Sequence, residues 1–166
     1  MKTENAKSRP RKYQPENLIA MFRIAAELRD KMVETGFTDN GGAIHSAERI
    51  LNILGMALNY PELTHINSLR LSKRATFSIE ALELHNSGQK VLIEHVSPLR
   101  DLTRKAIEKI AQGVSDAQFK SFIRRHFKLV LLSPAETQRL NRQNRSKMHP
   151  HRLKQAGIEL AIMVVE

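Results

Sequence analysis

Lys90-Val-Leu-Ile-Glu-His-Val-Ser-Pro98 and Leu129-Val-Leu-Leu-Ser-Pro-Ala-Glu-Thr-Gln-Arg-Leu-Asn-Arg-Gln-Asn144 together decide the fold. The first is a short apolar run that leads into an adjacent carboxylate and imidazole, Glu94 and His95. It is stopped by Pro98, which cannot extend a paired strand. The second is an apolar strand that passes directly into a helix, with Ser133 as N-cap, Pro134 at the first helical position and Glu136 at the capping-box position. Between them, Leu99, Leu102, Ala106 and Ile110 predict one helix that ends at Gly113. Ser115 caps a second, which turns Phe119, Phe122, Ile123 and Phe127 inward. The expected order is therefore strand, two helices, strand, helix.

The 74 residues ahead of Lys90, from Pro15 to Gly88, read as helical. Leu18, Met21, Phe22, Ala25, Leu28 and Met32 form one predicted apolar stripe, closed by Gly36. After Gly41-Gly42, a second stripe of Ile44, Ala47, Ile50, Leu51, Leu54 and Leu58 runs to Pro61. Residues 76–86 predict a third helix, and Ile158 to Val165 is apolar and β-branched enough for a buried strand that joins those at Lys90 and Leu129. The fold class is α+β. Residues 1–14 are expected to be a flexible basic arm, 15–88 a helical region, and 89–166 a small sheet with helices packed against it.

Charge points to the partner. The chain of 166 residues has 27 Lys and Arg against 17 Asp and Glu, a formal net charge of +10, and a pI near 10.2. That balance favours a polyanion, because each cation placed on a phosphate releases condensed counterions. Arg139, Arg142, Arg145, Lys147, Arg152 and Lys154 follow one another with no acid between them and form the expected nucleic-acid surface. With no cysteine, disulfides and thiolate metal sites are excluded. No glycine-rich phosphate loop supports a nucleotide-binding fold. Met1 to Gln14 has no apolar signal region, and no run approaches the roughly 18 apolar residues that span a bilayer. A cytoplasmic protein with no membrane partner is expected.

The Glu94-His95-Val-Ser-Pro98 strand end, combined with a second strand and the helix from Pro134 to Asn144, resembles the HNH or ββα-metal endonucleases over about a third of the chain. The resemblance implies a metal-dependent nuclease that hydrolyses phosphodiester bonds, of restriction or phage type. His95 would be the general base and Glu94 a ligand to Mg²⁺ or Mn²⁺. A second ligand would lie on the helix after the second strand, at Asn141, with Asn144, Gln138 and Glu136 as alternatives. Glu136 is also fully explained as a helix cap. Adjacent side chains of a regular strand point to opposite faces, so Glu94 and His95 can share one metal only if the strand bends there. The expected partner is nucleic acid, above all duplex DNA, met by a monomer or by a homodimer that cuts two strands. The other reading is a non-catalytic nucleic-acid-binding protein, a regulator or an RNA- or DNA-binding module that uses the same basic surface.

Overall fold

The computed structural model describes residues 13–162, so all but the last two residues of the expected basic arm, and the last three residues of the expected C-terminal strand, lie outside it. Eleven-residue to twenty-residue helices dominate. They are α1 (Pro15–Glu34), α2 (His45–Asn59), α4 (Leu99–Ala111), α5 (Asp116–His126) and α6 (Pro134–Asn144), with the shorter α3 (Ile79–Asn86) and α7 (Arg152–Gln155). Strands β1 (Leu92–His95) and β2 (Leu129–Leu132) pair antiparallel, with Leu92 opposite Leu132 and His95 opposite Leu129. The predicted order of strand, two helices, strand and helix is the observed one. None of the described helices is long and apolar enough to cross a membrane.

The strand β2 is buried on both faces and divides the interior. Leu129 and Leu131 face the main core, built on α1, α2, α4 and α5, while Val130 and Leu132 pack with Leu140, Ala156 and Ile158 on the other side. This is the period-two alternation of a strand between two layers. Both predicted caps form: Ser115 with Gln118, and Ser133 with Glu136, each satisfy two backbone N–H groups that the first helical turn leaves without intrahelical partners.

Three expectations need correction. In α1 the buried face is Leu18, Ile19, Phe22, Ala25 and Ala26, whereas Met21 and Leu28 lie largely in solvent. The apolar residues of α1 are spread around most of its circumference, so periodicity alone did not choose the buried side. Thr76 and Phe77 are not helical. Thr76 accepts a hydrogen bond from Leu131 N, Ser78 N donates to Leu131 O, and the helix starts only where the Ser78 hydroxyl caps Ala81 N.

The C-terminal segment does not join the sheet, which consists of β1 and β2. It pairs through Leu160 with Ser78, on the far side of the 76–78 segment from β2, and Leu160 and Ile162 are exposed. Only Ile158 of that run is buried among the described residues, in the small cluster behind β2.

Candidate functional site

A cleft of about 900 Å³ opens where β1 ends. Glu94, His95 and Pro98 come from β1 and the turn after it, Arg100 and Arg104 from α4, Asn141 and Arg145 from α6 and its C-terminal end, Arg152 from α7, and Asn40 and Glu48 from the N-terminal region. The predicted base, the predicted carboxylate ligand and the preferred second ligand thus border one space, although 46 residues separate His95 from Asn141. Four arginines and two glutamates line this space, which leaves it cationic.

The strand does not bend at the acid–imidazole pair. The ladder continues past His95, with Val96 N donating to Lys128 O at 2.9 Å, so Glu94 and His95 keep the alternation of a regular strand. The His95 ring sits edge-on to Phe127, centroids 5.3 Å apart, and Nε2 lies 3.2 Å from Asn52 Oδ1. An amide oxygen only accepts, so Nε2 carries the proton and Nδ1 the lone pair. Burial, reinforced by the positive charge of Arg152, lowers the imidazole pKa to about 4. It is neutral throughout the physiological range.

Glu94 faces the other way, towards α6 and Arg152. Burial raises its carboxyl above the ordinary range; the charge of Arg152 and, to a smaller degree, the Thr137 hydroxyl oppose the rise. That hydroxyl stands near the carboxylate but makes no hydrogen bond of ordinary geometry. The cleft therefore holds a neutral imidazole and a carboxylate on opposite sides of a strand end, with a carboxamide from α6 across from them.

The three alternative ligands lie elsewhere. Glu136 is buried under β2, where Oε2 accepts from Ser133 N at 2.9 Å and from the Ser78 hydroxyl at 2.5 Å. Its carboxylate is committed to the cap and to the start of α3. Asn144 closes the turn after α6, accepting from Lys147 N and donating to Lys147 O. Gln138 accepts from Arg142, one turn further along the exposed face of α6. None of the three borders the cleft.

The basic surface is also divided. Arg142, Arg145, Lys147 and Lys154 are exposed. Arg139 leans on Glu80 at 3.7 Å. Arg152 is a correction: only 3% exposed, it donates from Nε to Asn144 O and from Nη1 to both His95 O and Val96 O. It is a clamp between the end of β1 and the end of α6, with too little exposure to serve as a surface phosphate contact.

Residues the sequence did not single out build the opposite wall. Arg100 is held by Glu48 through two hydrogen bonds, at 2.6 and 3.2 Å, and by Asn40 Oδ1. Asp39 takes Arg29 on both carboxylate oxygens and Arg104 Nε on Oδ2. The hydrogen bond from Arg29, against the opposing effect of burial, and then that from Arg104 hold the Asp39 carboxyl down to about 2. Asp39 and Asn40 sit on a tight turn that requires Gly42, whose φ of 111° is unfavourable for any residue with a Cβ. A legible signal existed for part of this wall: Arg100 and Arg104 stand four apart at the start of the helix after Pro98, hence on one face.

No known protein family, curated protein or solved structure matches the chain. Among the described residues, no three His, Cys, Asp or Glu side chains stand together as a metal cluster.

Proposed function

We propose that the chain is a metal-dependent nuclease that hydrolyses phosphodiester bonds of duplex DNA in the cleft at the end of β1. The observation that carries this reading is the convergence of Glu94, His95 and Asn141 on one arginine-lined space. The donor set suits a small hard cation, Mg²⁺ or Mn²⁺: Glu94 offers a carboxylate, Asn141 a carboxamide oxygen, and such ions complete their shell with water and substrate phosphate. The bound ion would neutralise charge on the phosphate and lower the pKa of water.

The chain's own groups do the rest. The Asn52 bond fixes the His95 tautomer and leaves Nδ1 to take the proton of the attacking water as its oxygen bonds to phosphorus. The bond from phosphorus to the sugar oxygen breaks in the same displacement. Because the imidazole is neutral down to about pH 4, Nδ1 is available at any ordinary pH. A low pKa also makes it a weak base, so the water it serves must itself be acidified, which is the contribution asked of the cation.

A non-catalytic nucleic-acid-binding protein is favoured by a different observation, the unbent strand that turns Glu94 and His95 to opposite sides. Incubation of purified protein with plasmid and genomic DNA, in Mg²⁺, Mn²⁺ or EDTA, separates the two. Cleavage that needs the metal supports the nuclease. Binding without cleavage under every metal, on DNA of varied sequence, supports the binding protein.

A further inference from the structure

Arg104 is anchored at one nitrogen only. Its Nε donates to Asp39 Oδ2 at 2.9 Å, and neither terminal nitrogen has a partner among the described residues. Asp39 itself is fixed by the two-pronged contact with Arg29, so the anchor does not move freely with Arg104. The result is a guanidinium held from behind, with both Nη groups unsatisfied in a cleft that it lines. Four N–H groups in a fixed plane match two oxygens of a phosphate.

Arg100 stands one helical turn earlier on the same face and is oriented in the same way, by Glu48 and Asn40. A pair of arginines oriented by carboxylates costs little further ordering when an anion arrives, unlike a flexible surface lysine. Arg145, across the cleft at the end of α6, has no partner among the described residues. From these contacts we infer that Arg104, with Arg100 beside it, is a phosphate-binding fork that grips the backbone of a polynucleotide lying along the cleft, and that Asp39 and Glu48 are the residues that position it. The inference rests on the reading above for the identity of the polyanion and goes beyond it in assigning the grip to the N-terminal wall of the cleft, not to the basic run after Ser133.

The test uses the full chain in EDTA, so that cleavage plays no part. Binding of a fluorescent 20-base-pair duplex is measured across a salt series for the wild type, Arg104→Ala, Arg104→Lys and Asp39→Asn, each checked by thermal unfolding. Arg104→Ala should bind roughly tenfold more weakly and lower the slope of log affinity against log salt by about one. Arg104→Lys keeps the charge and loses the fork, so it should retain the slope yet bind several-fold more weakly; it also serves if the alanine variant does not fold. Asp39→Asn should fall between them. A parallel arm adds inorganic phosphate alone and follows the melting temperature.

Wild-type affinity and slope in Arg104→Ala, or in Arg104→Lys where only that variant folds, overturn the inference. Stabilisation by inorganic phosphate without duplex binding overturns it too, in favour of a small-anion site. Weakened binding in the variants, beside a wild type that never cleaves, leaves the fork standing and removes the nuclease; unchanged binding beside intact cleavage does the reverse.

Discussion

Phe127 fills the space that a side chain at Gly55 would need. A Cβ on Gly55 would overlap atoms of the Phe127 ring, and the same ring supports His95 edge-on at 5.3 Å. Gly55→Ala improves helix propensity by about 1 kcal/mol. The overlap with a buried ring costs more, about 1–3 kcal/mol. Net destabilisation in urea is expected, with a shifted His95 imidazole resonance. A variant as stable as the parent, with an unmoved resonance, would show that the ring relaxes freely.

Acid should weaken the fold through His95. Its folded pKa, about 4, lies below the unfolded value near 6.5, so the unfolded chain binds more protons between these values and stability falls as pH falls. The contribution is complete above about pH 6.5, and about 2 kcal/mol of it is lost between pH 7 and pH 5. Glu94, whose pKa burial raises, acts in the opposite direction. Denaturant unfolding of wild type and His95→Gln at both pH values tests this; equal pH dependence in the two would show that His95 is not the group involved.

Removing the imidazole should separate chemistry from binding only if the fold is protected. His95 packs against Phe127 and is largely buried, so His95→Ala leaves a cavity, contrary to what a strand-end position suggests. His95→Gln fills more of it. Under the nuclease reading it should bind DNA normally and cut roughly 10²- to 10⁴-fold more slowly. Glu94→Ala should instead need more Mg²⁺ or Mn²⁺. Cleavage that His95→Gln leaves untouched, or that EDTA does not stop, would sink the mechanism.

Arginines of the basic run should divide into two kinds. Arg142→Ala with Arg145→Ala should weaken duplex binding, lower the salt slope by about two, and change stability by less than about 0.5 kcal/mol each. Arg152→Ala orphans the carbonyls of Asn144, His95 and Val96. It should cost on the order of 3 kcal/mol or more, because buried hydrogen bonds to a charged group are among the stronger ones. Denaturation midpoints beside binding curves distinguish them, and a stable Arg152→Ala that merely binds weakly would return Arg152 to the surface set.

Glu136→Gln should behave as a structural change. It replaces a carboxylate that accepts from Ser133 N and the Ser78 hydroxyl. Stability should fall by about 1–2 kcal/mol, while the metal concentration that half-saturates cleavage stays the same. A raised metal requirement in Glu136→Gln would make it a ligand after all.

Local signals carried much of this architecture, and the places where they failed share a cause. Ser133, Pro134 and Glu136 announce α6 because capping chemistry is complete within four residues, and Pro98 marks the end of β1 for a similarly local reason. Thr76 and Phe77 misread as helix because their carbonyls accept from Leu131 N and Ala161 N, partners more than fifty residues away. The site shows the same division. Glu94, His95 and Asn141 could be picked by residue type and position after a strand, whereas Asp39, Glu48 and Asn52 are ordinary helix and turn residues until folding sets them against Arg104, Arg100 and His95. Arg152 looks from its neighbours like one more surface cation, and only its three carbonyl partners reveal otherwise.

The Arg152 clamp also sets an order in time. Residue 152 leaves the ribosome 57 residues after His95, so the end of β1 cannot be pinned to the end of α6 until most of the described chain has been synthesised. A nascent chain that ends between Asn141 and His151 carries Glu94, His95 and Asn141 without the guanidinium that ties the end of β1 to the end of α6. Under the proposed nuclease reading, a chain interrupted before Arg152 should lack activity, because nothing then ties the end of β1 to the end of α6.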